Sequence, residues 1–390
     1  MRLMPFQKRT WAEIDLDAVE NNYRVIRSRL GQNTKICCVV KANGYGHGSV
    51  QLSKLYEKLG ADYLAVSNIE EAIQLRNACI SLPILILGYT DPRCAAQLAD
   101  LNITQCVFSY EYGKVLSENA IEHNIEVKIH IKIDSGMGRI GFRCKDEDLE
   151  KAVEICKLSG LNAEGVFTHF ASADEGINGK QYTLGQFNNF INAINYLESN
   201  GIKFTLRHCA NSAAIFDYPE MHLDMVRAGI VLYGLQPSSV LQNPGDLKQV
   251  LTLQTIIDHI KTIHPGDCIS YGREFKADCD MKVATIPIGY ADGLWRSNSP
   301  NHMFVEVEGK LAPIIGRICM DQCMIDISDI LEAQVDSIVT VYGNRDEDSI
   351  ERIAKSNRTI NYEITCAIGE RVPRVYKKLG SIEAVVDNII

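Results

Sequence analysis

An apolar run, Ile36–Val40, ends on Lys41, and "ANGYGHG" follows at once, with Asn43, three glycines, Tyr45 and His47. An amine at the mouth of an apolar strand is partly desolvated, which favours its neutral, nucleophilic form. A nearby guanidinium would push the same way. Other polar residues fall at comparable places. Arg139 lies in the turn of "KIDSGMGRIGF", His169 ends "GVFTHF", and Asn211 and Ser212 follow "RHCA". Arg227 and Gly229 belong to "MVRAGIVLYG". A strand-end lysine that merely reaches water is the competing account of Lys41 alone. Several such placements on one rim argue for one site.

The chemistry that fits is covalent capture of an aldehyde by Lys41, as pyridoxal phosphate undergoes. Its phosphate would need backbone N–H groups and hydroxyls as well as cations. "ANSAA" reads as a helix start capped by Asn211 or Ser212, and "RAGIVLYG" offers Gly229 and Ile230. An ordinary N-cap and a tight barrel glycine compete with that reading. Tyr45 can reach back over a cofactor, the glycines allowing close backbone approach; for His47 and Gly48 an ordinary turn is preferred. His169 is either a structural hydrogen-bonder or a group that stacks on a cofactor or orients a neighbour.

These residues need elements to hold them. Leu16, Val19, Tyr23, Ile26 and Leu30 recur at three- and four-residue spacing, which predicts a helix stopped by Gly31. Continuous apolar runs at 36–40, 62–67, 83–88, 104–109, 127–134, 163–169, 205–210 and 225–233 alternate with helical patterns such as "NIEEAIQLRNA". Such runs indicate burial on both faces of a parallel sheet. The expected fold is α/β, a (β/α)8 barrel over residues 11–238, with chemistry at the C-terminal ends of its strands. After about residue 240 the texture becomes β-rich, with turns at Pro265-Gly266 and Glu308-Gly309. A C-terminal β domain is expected over 239–390, joined by residues 1–15.

The chain has 390 residues and a net charge of −9, which argues against a nucleic-acid binder. No apolar stretch approaches the roughly 20 residues of a membrane span, and the N-terminus lacks a signal-peptide core. Of thirteen scattered cysteines, with no paired metal spacing, most read as small buried residues of a reducing compartment. A cytoplasmic protein with no metal is expected.

The motifs "VVKANGYGHG", "KIDSGMGRIGF", "FTHFASADE", "HCANSAA", "MVRAGIVLYGL", "SYGREF", "IPIGYADG" and "IGRICMDQ" together closely resemble the alanine racemases, colinearly from Trp11 to Tyr376. The resemblance implies a pyridoxal-phosphate enzyme acting on a small amino acid, in a head-to-tail homodimer with shared active sites. Lys41 matches the lysine that holds the cofactor. Tyr271 matches a second base delivered from the other subunit, with Arg139 near it and near the substrate carboxylate. Arg227 matches the arginine facing the pyridine nitrogen. Tyr45, Ser212, Gly229 and Ile230 match phosphate contacts; Tyr290, Met320 and Asp321 match partner-chain residues of the entrance and carboxylate site. Lys132 matches a lysine that is often carbamylated and helps position Arg139. The two bases would serve opposite faces of the substrate, His169 orienting the phenol.

Two residues depart from the family pattern. Glu370, before "RVPRVY", stands where tyrosine is common near the phosphate, and Arg273 follows "SYG" where smaller residues are common. Both make the neighbourhood more polar. Serine therefore remains open beside alanine, as in the serine racemase domains of glycopeptide-resistance systems. Basic amino-acid decarboxylases of the same barrel type would need a glutamate where Arg227 stands. A cofactor carrier would not need the β domain with Tyr271.

Overall fold

The computed structural model describes residues 9–299 and 303–389. Residues 1–8 of the expected joining segment lie outside these. The described chain forms two compact units. One comprises residues 20–44 and 48–247; the other comprises the described residues up to Val19 together with 45–47, 248–299 and 303–389.

After β1 (Thr10–Asp15), eight strands build the first unit: β2 (Lys35–Val39), β3 (Tyr63–Val66), β4 (Ile84–Ile86), β5 (Ile103–Val107), β6 (Val127–Asp134), β8 (Leu161–Phe167), β9 (Leu206–His208) and β10 (Met225–Ala228). A two-residue strand, β7 (Phe142–Arg143), pairs with the end of β6. The order β10-β2-β3-β4-β5-β6-β8-β9 is parallel throughout. Between β9 and β10 the ring is drawn together by Asp224 N–H to the Arg207 carbonyl, 3.1 Å, and Arg227 N–H to the Ala210 carbonyl, 2.9 Å. This is the expected (β/α)8 barrel, nearly closed. Buried apolar side chains on both faces explain the uninterrupted runs. The outer helices start where capping residues occur: Asn68 accepts from Glu71 N–H, and Ser109 from Tyr112 N–H.

Several strands are shorter than their sequence runs, the last by the most. The run 225–233 stops at Ala228, and Ile230–Tyr233 forms a 3-10 turn. Gly229 has φ −116° and ψ −108°, and Gly234 is left-handed at φ 79°. The two glycines take the chain out of the extended conformation. Gly229 and Ile230 therefore sit at the head of a turn beyond the last strand.

In the second unit the strands are β11 (Leu251–Ile256), β12 (His259–Ile263), β13 (Cys268–Ile269), β14 (Phe275–Lys276), β15 (Met281–Ile286), β16 (Phe304–Val307), β17 (Lys310–Ile315), β18 (Cys323–Asp326), β19 (Ile338–Tyr342), β20 (Arg374–Lys378) and β21 (Ser381–Val386). Ten strands form one sheet, ordered β12-β15-β18-β17-β16-β19-β11-β1-β20-β21. β1 lies inside it, antiparallel to β11 and parallel to β20. The small hairpin β13–β14 stands apart from that sheet.

Candidate active site

Lys41 follows β2 on a strained turn. Ala42, Asn43 and Gly44 are all left-handed, with φ of 52°, 51° and 61°. Non-glycine residues there cost on the order of 1 kcal/mol each, so the turn must be held. Glu71 Oε1 accepts Ala42 N–H at 2.6 Å. The Asn43 carbonyl accepts Gly48 N–H at 2.8 Å, and its side-chain oxygen accepts Ser49 N–H at 2.9 Å. Asn43 and Glu71 thus fix where the Lys41 amine leaves the barrel. Neither stood out in the sequence as a support.

Arg227 is buried at the end of β10. Its Nη1 donates to His208 Nδ1 at 2.9 Å and to the His208 carbonyl at 3.2 Å. Its Nη2 donates to the Thr168 carbonyl at 2.7 Å, the Cys209 carbonyl at 3.1 Å and His169 Nδ1 at 3.3 Å. Burial, partly offset by Cys209 and Cys37, pulls the guanidinium down to about 10, so it stays charged at neutral pH. All its acceptors are neutral, and Nε is left without a bond to any described residue. His169 is driven well below its usual value, first by burial and then by Arg227, Arg139, Lys132 and Lys41. Those four cations and His169 therefore share one neighbourhood, with the imidazole neutral.

Lys132, in β6, is almost fully buried. Its ammonium donates to the Ile133 carbonyl at 2.7 Å and lies 5.6 Å over the Phe167 ring. Burial lowers it to about 8, with Arg227 and Arg139 acting in the same direction. Arg139 stands in an exposed turn after β6, where the Asp134 carboxylate accepts Gly136 N–H at 3.1 Å and Gly138 N–H at 3.0 Å. At the heads of the last two turns, Ser212 Oγ accepts Gly229 N–H at 3.0 Å. Asn211 caps Ser212–Asp217, its side-chain oxygen accepting Ala214 N–H. Lys41, Lys132, Arg139, His169, Asn211, Ser212, Arg227, Gly229 and Ile230 all belong to the barrel unit.

Tyr45, Tyr271, Tyr290, Met320 and Asp321 belong to the sheet unit. Tyr45 is buried, with its ring 5.9 Å from that of Tyr362. Arg374 Nε donates to the Gly46 carbonyl at 3.0 Å, and Tyr376 Oη to the His47 carbonyl at 3.0 Å, so two successive carbonyls of the turn are held. A Cβ on Gly46 would lie 2.1 Å from the Thr365 carbonyl oxygen. Tyr362, unremarked in the sequence, is the aromatic neighbour of Tyr45; Glu370 is exposed.

Tyr271 stands on the turn between β13 and β14, 68% exposed, flanked by Ser270 (φ 66°), Gly272 (φ 74°) and Arg273 (φ 55°). Ser270 Oγ donates to the Arg317 carbonyl at 2.6 Å, and Arg317 pairs with Glu274. Tyr290 and Met320 lie on adjacent loops, joined by Tyr290 N–H to the Cys319 carbonyl, 3.1 Å, and Ala291 N–H to the Met320 carbonyl, 3.0 Å. Beneath them the fully buried Asp292 carboxylate accepts Arg9 Nη2 at 2.7 Å, Arg371 Nε at 2.8 Å and Gly289 N–H at 2.9 Å. Arg371 Nη2 also donates to Asp321 at 2.7 Å. Asp292, Arg9 and Arg371 went unread because their partners are distant in sequence; the "GYADG" and "RVPR" motifs were the available signal.

The barrel set thus offers an amine, a buried cation with neutral acceptors, and N–H and hydroxyl donors at two turn heads. The sheet set offers an exposed phenol and a braced carboxylate. The family model described as "Alanine racemase, N-terminal domain" matches residues 14–237, and "Alanine racemase, C-terminal domain" matches 250–376. A curated alanine racemase of Desulfovibrio desulfuricans is 47% identical over 96% of this chain and 100% of its own length. One of Clostridium tetani is 46% identical, over 96% and 97% respectively. The solved alanine racemase of Clostridium difficile 630 superposes with TM-score 0.95 at 40% identity, covering 99% of this chain and 100% of that one. That of Bacillus anthracis with bound L-Ala-P gives 0.93 at 37%, covering 98% and 99%. This chain belongs to the alanine racemase family.

Proposed function

We propose that the chain interconverts L- and D-alanine with pyridoxal phosphate, in a homodimer whose subunits complete each other's sites. The observation that carries this reading is Arg227, a buried cation held by neutral acceptors with Nε unclaimed among the described residues. That donor suits a neutral pyridine nitrogen. Ser212, Gly229, Ile230 and Tyr45, with Asn211 bracing the turn, would hold the phosphate, and Lys41 the aldehyde carbon. When bound, the cofactor supplies an electron sink that makes the amino acid's α-proton acidic.

The protein's own groups do the rest. Lys41 Nζ moves a proton on one face of the substrate. The hydroxyl of Tyr271, lent by the second subunit, does so on the other. Arg139 supplies positive charge near that phenol and binds the substrate carboxylate, with Met320 and Asp321 of the second subunit beside it and that subunit's Tyr290 at the entrance. His169, kept neutral, orients the phenol. Arg227 retains its own proton, which limits the sink and disfavours transamination. Lys132 would be carbamylated: an amine lowered to about 8 by burial has a neutral fraction that attacks carbon dioxide and releases a proton, and the carbamate's negative charge would anchor Arg139. Alanine is favoured over serine by the names of the curated relatives. The product D-alanine would supply cell-wall peptidoglycan from the cytoplasm, whose reducing conditions suit thirteen unbridged cysteines.

The test is a visible absorbance spectrum of the purified protein with the cofactor, followed by racemisation rates on alanine and serine enantiomers. A bound-cofactor band lost in Lys41→Ala, a higher kcat/KM for alanine, and slowed α-hydrogen exchange in Tyr271→Phe are expected. A colourless reconstituted protein, or full activity in Lys41→Ala, overturns the reading.

A further inference from the structure

Arg227 touches no carboxylate, and a guanidinium only donates. Every group around it must therefore present a lone pair. Three are carbonyls, which always can. His208 is different, since its lone pair can sit on either ring nitrogen. Nδ1 lies 2.9 Å from Arg227 Nη1, so Nδ1 must accept and Nε2 must carry the hydrogen. His208 Nε2 in turn lies 2.9 Å from His130 Nδ1. The same requirement passes on: His130 accepts at Nδ1 and carries its hydrogen on Nε2. That nitrogen has no hydrogen-bond acceptor among the described residues, and Glu164 Oε1 lies 3.4 Å from it, an ion-pair contact outside hydrogen-bond geometry through which the carboxylate acts by its charge. The same oxygen receives the hydroxyls of Tyr63 at 2.6 Å and Thr104 at 3.0 Å.

An ionised carboxylate only accepts. A donor at one end and an acceptor at the other thus impose one polarity on both imidazoles. Protonating either ring would set donor against donor. The electrostatics agree: burial opposes ionisation of Glu164, but the nearby His130 ring and the Tyr63 hydroxyl prevail and hold it at about 2. Burial keeps both histidines below their ordinary value. The fold is shaped to this chain of groups. The pairing of β6 with β8 slips between Ile129 and His130, leaving Glu164 as the extra residue of a bulge that re-aims its side chain. Gly165 clears space for the His130 ring, since a Cβ there would lie 2.5 Å from Nε2. Phe167 lies flat on His208, centroids 4.9 Å apart and planes 4° apart.

We propose that Glu164 is a positioning residue: acting through His130 and His208, it fixes the ring tautomers that hold Arg227 toward the cofactor site. The inference rests on the cofactor-binding role proposed for Arg227. The competing account is that Glu164 only satisfies the hydroxyls of Tyr63 and Thr104.

The test uses the full-length protein with bound cofactor and ring-15N-labelled histidine, in wild type, Glu164→Gln, Glu164→Asp and Tyr63→Phe. Wild type should show His130 and His208 as Nε2–H tautomers. Glu164→Gln should lose that single state and lower kcat about tenfold, with KM changed less than about twofold. Glu164→Asp should recover most of both, and Tyr63→Phe should keep the tautomers. Nδ1–H rings in wild type overturn the proposal, as do unchanged tautomers in Glu164→Gln, even with a lowered rate. Loss of the tautomers in Tyr63→Phe also overturns it, and this readout stands if Glu164→Gln fails to fold. Should wild type not racemise alanine, the function proposed above fails, while the spectra still decide what Glu164 does.

Discussion

Replacing Asp292 with asparagine tests how the sheet unit holds its part of the site. The carboxylate is fully buried and receives Arg9, Arg371 twice and the Gly289 N–H. An amide oxygen can keep one of these bonds, but the amide N–H2 would face a guanidinium. Removing one partner of a buried ion pair costs about 3–5 kcal/mol. The Arg9 and Arg371 side chains are 40% and 32% exposed, so water recovers part of their solvation. Halving the cost for that screening leaves about 2 kcal/mol. For a unit of this size that corresponds to a fall in Tm of roughly 6 °C. Tyr290 and Asp321 share this anchor, so KM for alanine should rise as well. The sign with pH is set: burial raises the carboxyl, but Arg9 and Arg371 prevail and lower it. Its stabilisation is therefore complete above the ordinary aspartate range and is lost as pH falls through the lowered folded value. Thermal scans at fixed protein and cofactor concentration, with steady-state kinetics, measure both effects. A Tm within about 1 °C of wild type and an unchanged KM would refute the anchor.

Lys132→Met should shift the pH dependence of stability. The amine falls from 10.5 to about 8 on folding, so the unfolded state binds the extra proton between those values. Wild type should gain about 3 kcal/mol relative to the variant as pH rises across that window in carbon-dioxide-free buffer; parallel curves would show that the ammonium is not penalised. Gly165→Ala drives a methyl to 2.5 Å from His130 Nε2, and overpacking of that kind costs about 1–3 kcal/mol; an unchanged melting curve would mean the ring is free to move. Arg374→Met removes the donor to the Gly46, Ile368, Gly369 and Val372 carbonyls. Cofactor affinity should weaken through Tyr45, and equilibrium dialysis showing the wild-type Kd would contradict that.

The barrel was legible because its strands are buried on both faces, which removes polar residues from the runs and leaves each polar exit conspicuous. Lys41, Arg139, His169 and Ser212 each lie within a few residues of a strand end, so local pattern located them. β1 was not legible. "TWAEID" acquires its place between β11 and β20 through partners such as Leu251 and Tyr376, far along the chain. His130 and His208 read as ordinary strand residues, and Glu164 as one polar residue in an apolar run, because the slipped register that joins them is a property of pairing. Tyr362 was missed for a related reason. The family pattern pointed to the position of Glu370, whereas the helix Asn361–Cys366 brings Tyr362 to Tyr45.

The two units solve opposite electrostatic problems, and the contrast bears on mechanism. Asp292 is an anion neutralised by cations, so its field is largely consumed where it stands. Arg227 is a cation held by carbonyls and imidazoles, with Cys37 beside it in the β10–β2 register. Burial pushes that thiol up to about 12 despite the cation, so it stays uncharged. A carboxylate at this place would bind the guanidinium more tightly, but it would also blunt its pull on whatever lies beyond Nε. Neutral acceptors leave that pull intact. The arrangement accepts the cost of an uncompensated buried charge, and a site selected for stability alone would have removed it. A chain of tautomers ending on Glu164 supplies the missing negative charge at a remove, where it can orient Arg227 without capturing it.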